Sequence, residues 1–78
     1  MNRDYGNAKY TTGHVEDRVE GYAGLDLFRT RKGEKNPVAK IRFWDASGQF
    51  FIETLNTDIP LDIVEELIAE AKATVRTE

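Results

Sequence analysis

From Val38 to Trp44 the chain reads Val-Ala-Lys-Ile-Arg-Phe-Trp. Ala39, Ile41 and Phe43 fall on one side of a two-residue period, and Val38, Lys40, Arg42 and Trp44 on the other. This alternation predicts a β-strand, the clearest in the chain. Asp45-Ala46-Ser47-Gly48 follows, with Asp first and Gly last as a type I turn prefers. Gln49 to Leu55 then returns as a partner strand. Counting outward from the turn places Trp44 opposite Gln49, Phe43 opposite Phe50, Arg42 opposite Phe51, Ile41 opposite Ile52 and Lys40 opposite Glu53. The register sorts itself by polarity. One face collects Ala39, Ile41, Phe43, Phe50 and Ile52; the other collects Lys40, Arg42, Trp44, Phe51 and Glu53. A slip of one residue scrambles both sets.

Upstream, residues 19–30 hold an earlier strand with Leu25 and Leu27 on one face and Asp26 and Phe28 on the other. Gly21 and Gly24 weaken its start or mark a bulge. Residues 31–37 form a polar connection punctuated by Gly33 and Pro37. Downstream, Asp58 is placed to cap a helix whose first turn accepts Pro60. Leu61, Val64, Leu67, Ile68, Ala71 and Val75 recur at helical spacing, with Asp62, Glu65 and Glu66 near the start and Lys72 and Arg76 near the end. The expected core is Leu25, Leu27, Ile41, Phe43, Phe50, Ile52, Val64, Leu67, Ile68 and Ala71. Residues 1–18 carry no sustained period and read as a flexible tail, with an extra strand from Tyr10 to Val19 as the alternative. The expected fold is α+β: a three- or four-stranded antiparallel β-meander packed on one C-terminal α-helix. It divides into the N-terminal tail 1–18 and a single β-β-β-α domain over 19–78.

Length and composition narrow the function. Seventy-eight residues make one small domain, and small domains lean on disulfides, metals or a second subunit for stability. The chain has no cysteine and one histidine, which leaves self-association as the economical route and a homodimer as the expected state. The net charge of −3 argues against a general nucleic-acid binder. No apolar run reaches membrane-spanning length, and Met1 to Tyr10 lacks the apolar core of a secretory signal, so a cytoplasmic protein without membrane association is expected.

No catalytic, metal or cofactor signature is present. Ser47 is explained by its turn, His14 has no evident partner, and the helix carboxylates face solvent. Arg31-Lys32-Gly33-Glu34-Lys35 lacks the spacing of a phosphate loop. A non-enzymatic role is expected. The feature that calls for a function is the outer sheet face, where Trp44, Phe51 and Phe28 stand among Arg42 and Lys40, with Arg29, Arg31, Lys32 and Lys35 in the adjoining basic segment. Exposed aromatics with cations suit a protein interface, or a platform for single-stranded nucleic acid. Residues 53–78 are mostly acidic, so nucleic acid could approach only the sheet side. Self-association or a protein partner through the sheet face is the leading expectation; single-stranded DNA binding is the alternative.

Lys40-Ile41-Arg42-Phe43-Trp44, the Asp45-Ala46-Ser47-Gly48 turn and a C-terminal amphipathic helix together resemble the positive-cofactor-type transcriptional coactivators over roughly residues 22–72. The resemblance implies a small dimer binding single-stranded DNA on a curved sheet, with Lys40, Arg42 and Trp44 as strand contacts. The family's lysine- and glycine-rich approach to its last strand has no counterpart here, where Glu53-Thr54-Leu55-Asn56-Thr57-Asp58 is neutral to acidic.

Overall fold

A computed structural model describes residues 1–75. Five strands run in chain order: β1 (Asn2–Tyr5), β2 (Ala8–Asp17), β3 (Tyr22–Arg31), β4 (Glu34–Trp44) and β5 (Gln49–Thr54). One helix, α1 (Leu61–Thr74), follows. The strands form a single antiparallel sheet in the order β1-β2-β3-β4-β5, so the fold is α+β, a meander with a helix on one face.

The β4–β5 pairing is the one that alternation and turn length dictate: Trp44 with Gln49, Phe43 with Phe50, Arg42 with Phe51, Ile41 with Ile52 and Lys40 with Glu53. Trp44 O accepts from the Ser47 and Gly48 amides at 3.2 and 2.8 Å, closing the loop.

The sheet has five strands rather than three or four, because residues 2–17 are not a tail. They form β1 and β2, joined through Gly6-Asn7, where Gly6 takes φ 62°. A glycine with positive φ at the first central position is the signature of a type II′ hairpin. Ala8 and Tyr10 of β2 are buried in the core. The N-terminal ammonium of Met1 donates to Thr12 Oγ1 at 2.7 Å and lies 2.8 Å from Glu70 Oε1, while Arg3 pairs with Glu66. Both contacts bind the first strands to α1.

Three other expectations are corrected. Val38, expected on the outer face, is buried: a bulge in β4 sets Phe28 opposite Pro37 and Leu27 opposite Ala39, leaving Val38 as the additional residue, turned inward. Proline lacks the amide a regular ladder needs, so a bulge suits it. The helix is also rotated from its expected phase. Its buried residues are Ile63, Leu67 and Ala71, while Leu61 is exposed and Ile68 remains 38% exposed. Asp58 does not cap it. Pro60 takes that position without a side-chain hydrogen bond, its carbonyl accepting from Ile63 and Val64. Arg76 lies outside the described residues.

The core is Ala8, Tyr10, Leu25, Leu27, Val38, Ala39, Ile41, Ile63, Leu67 and Ala71. Leu25, Leu27, Ile63 and Leu67 are its largest fully buried side chains, each contributing about 1.5–3 kcal/mol. Among the described residues the polar ties to the helix, from Met1, Arg3 and Thr12, lie on the β1–β2 side. The helix rests over the middle strand β3, and of the two flanks beneath it the β5 side stays open, with Ile52 47% exposed where Ala8 and Tyr10 are buried.

Candidate interaction surface

The outer face is built around two glycines. A Cβ on Gly24 would collide with the Ile41 carbonyl, so that position admits no side chain. On the next strand the Arg42 guanidinium donates to the carbonyls of Leu25 and Ile41 at 3.3 and 3.0 Å and to Asp26 Oδ1 at 2.8 Å. Phe28 similarly lies across Gly13, its ring edge 3.5 Å from where a Cβ would stand. Rings and guanidinium therefore lie down on the strands rather than project from them.

Trp44 remains on this face. It packs on Tyr22 with ring centroids 4.9 Å apart, and Arg42 sits 5.2 Å from the Tyr22 ring centre. Tyr22 escaped the sequence reading. Its strand position opposite Trp44 follows only once β3 is registered on β4. Lys35 lies 4.8 Å from the Phe28 centroid.

The charges on this face are balanced. Arg42 and Asp26 form a half-buried ion pair, and Lys40 stands between Asp26 on one neighbouring strand and Glu53 on the other. Not all of the proposed cations belong here. Arg29 alternates with Phe28 and so faces the helix side, where it donates to Thr57 Oγ1 and the Asp58 carbonyl at 3.1 and 3.3 Å. Arg31 shares that side, and Lys32 occupies the Lys32-Gly33 turn, with φ 52° and 81° as a type I′ hairpin requires. The basic segment is thus divided between two faces and a loop.

The second surface lies along β5. Phe51 is 52% exposed and Ile52 47%, although Ile52 points toward the helix side. Ile41, Phe50, Phe51, Ile52, Ile68, Ala71 and Lys72 line a groove of about 270 Å³ between β5 and α1, with one charged side chain among them. Beside it runs an unpaired strand edge. The Leu55 amide donates to the Val38 carbonyl at 3.0 Å, so Leu55, Glu53 and Phe51 turn their backbone groups toward β4. By alternation the amides and carbonyls of Phe50, Ile52 and Thr54 face outward.

The two sheet edges differ. β1 is four residues long, carries Arg3 and Asp4, and is tied to α1 through Arg3–Glu66. Short, charged, covered edges resist pairing. β5 reads Gln-Phe-Phe-Ile-Glu-Thr and has none of these protections beyond Glu53.

His14 is exposed on β2 and its charge acts on Glu70. Burial alone pushes the Glu70 carboxyl up, but hydrogen bonds from the Met1 ammonium and Thr12, with the attraction of the ammonium and His14, outweigh it and hold the group below its ordinary value. This cluster joins sheet to helix. Among the described residues no group of three or more His, Asp or Glu is placed to hold a metal ion, and no helix is long and apolar enough to cross a membrane.

Comparison of the chain with family models, curated proteins and solved structures gave no match.

Proposed function

We propose that this protein is a non-enzymatic interaction module that self-associates through the β5 side of its sheet. The observation that carries this reading is the uncovered β5 side, where Phe50, Ile52 and Ile68 stand beside an open strand edge. Contiguous apolar surface of this kind on a small domain marks a protein-binding site. It relocates the interface from the middle of the outer face, where Trp44 and Arg42 are already engaged with Tyr22 and Asp26, to the strand that also carries Phe51.

Sedimentation equilibrium tests the proposal. The native chain is expected to run as a dimer at high micromolar concentration and to dissociate on dilution. Ile52→Glu is expected to leave a folded monomer, because a half-exposed residue tolerates a charge until a partner covers it. A native chain that stays monomeric throughout overturns the reading.

Single-stranded nucleic acid is the second reading. The rings of Tyr22, Trp44, Phe28 and Phe51 and the ammonium of Lys35 speak for it, since stacked bases tolerate any sequence. Arg42 speaks against it: its charge is spent on Asp26, and the face as a whole presents no net positive field. Trp44 fluorescence titrated with a short oligonucleotide at low salt decides the matter. Quenching that disappears with added salt supports nucleic-acid binding, and an unchanged signal removes it.

A further inference from the structure

We infer that two copies of the chain pair through β5 in an antiparallel ladder whose two-fold axis passes beside Ile52, fusing their sheets into one. The inference rests on the self-association proposed above and specifies its geometry.

The choice of edge follows from the difference between the two: β1 is short, charged and tied down, whereas β5 offers outward amides at Phe50, Ile52 and Thr54, the first two bearing apolar side chains. The choice of register follows from what each alternative does to those groups. Centred on Ile52, the ladder sets Ile52 opposite its own copy and Phe50 opposite Thr54, so every outward amide and carbonyl of the three residues gains a partner. Centred on Phe51, it sets Phe50 opposite Ile52 and pushes Thr54 against the Gly48 turn, orphaning its backbone groups. Centred on Glu53, it places the two Glu53 carboxylates directly opposite each other, which like charges disfavour. The Ile52 register meets neither problem: Phe51 faces Glu53 across the seam, and each Glu53 keeps Lys40 beside it on β4.

Side-chain direction agrees. Phe50, Ile52 and Thr54 point to the helix side, where Ile68 and Ala71 form the far wall of the groove. Pairing in this register brings the two Ile52 side chains together between the two grooves, so the apolar strip that α1 fails to cover is covered by its own copy. The outer faces become continuous at the same time, and each Tyr22–Trp44 cluster lies on the same side of the joined sheet.

The native chain has no cysteine, so single cysteines report the register without background. A hydrogen-bonded antiparallel pair sets its Cα atoms about 5.5 Å apart, within the about 4.4–6.8 Å a disulfide spans. Mild oxidation of Ile52→Cys is expected to give a covalent dimer in high yield. Thr54→Cys alone is expected to give none, since two copies of that residue lie about 14 Å apart along the ladder. A mixture of Phe50→Cys and Thr54→Cys chains is expected to cross-link with each other, which provides a second test should the Ile52 variant fold poorly. A native chain that sediments as a dimer while neither Ile52→Cys nor the mixture cross-links overturns this arrangement and leaves self-association standing. A native chain that sediments as a monomer overturns both.

Discussion

Arg42 and Asp26, on adjacent strands and two residues apart in register, meet at 2.8 Å. The guanidinium has three acceptors within reach, two of them main-chain carbonyls. A residue that looked free to bind a phosphate is instead a brace between β3 and β4. Asp26→Asn should therefore cost about 1–2 kcal/mol in urea unfolding, because both members are mostly covered and Arg42 loses its counter-charge. The same variant restores a positive charge to the outer face. An increase in low-salt oligonucleotide affinity over the native chain would assign Asp26 the role of keeping anions off the sheet.

Gly24→Ala should be among the most damaging small substitutions in the chain. The methyl group meets the Ile41 carbonyl, a backbone atom that cannot swing aside. Separating β3 from β4 there should cost roughly 3 kcal/mol or more, lowering the melting temperature by on the order of 10–20 °C. Gly33→Asn, in an open turn, should change it little.

Ile63 and Ile68 lie on one helix and should behave oppositely. Ile63 is fully buried, so Ile63→Ala should lose about 2–5 kcal/mol of stability at any protein concentration. Ile68 is partly exposed in the groove, so Ile68→Ala should leave the dilute monomer within about 0.5 kcal/mol of native. Its effect should appear as weaker association. Chemical denaturation at two protein concentrations separates the pair.

Glu70 gives the fold an acid-sensitive joint. Its carboxyl is held below its ordinary value, so its ionised form is favoured in the folded chain. The resulting stabilisation is complete above the ordinary glutamate range and is lost as pH falls through the lower, folded-state value. Glu70→Gln should thus be less stable than the native chain near neutrality. The gap should close on acidification, as the native chain loses what the variant never had. Thermal melts across pH 3 to 7, taken as about the range of glutamate titration, read this directly.

What was legible in the sequence was the part governed by alternation. Ile41, Phe43, Phe50 and Ile52 lie on one face as their spacing requires, and the four-residue turn fixes their partners. β1 was illegible, and β2 was legible only as the alternative strand from Tyr10 to Val19, for the complementary reason. Across Lys9-Tyr10-Thr11-Thr12-Gly13 the inner positions are a tyrosine and a threonine and the outer ones are polar or bare, so no hydrophobic rhythm marks the strand. The available signal was the Gly6-Asn7 pair, a two-residue hairpin turn between extended segments.

The helix phase failed because of those missing strands. A stripe chosen to cover Ile41 and Ile52 selects Val64 and Ile68, but Ala8 and Tyr10 draw the helix across, and Ile63 turns inward to meet them. Lys40, Arg42, Trp44 and Phe51 share the outer face as their alternation requires, while their engagement was not readable. Nothing in the spacing of Asp26 and Arg42 reveals that they meet diagonally across adjacent strands.

The helix of this protein is a roof with one open side. It leaves the eave along Ile52 in the weather. On the pairing proposed above, dilute solution would leave that greasy margin facing water, and crowding would hide it in a twin. Abundance itself, with no other effector, would then select which of the two shapes the cell encounters.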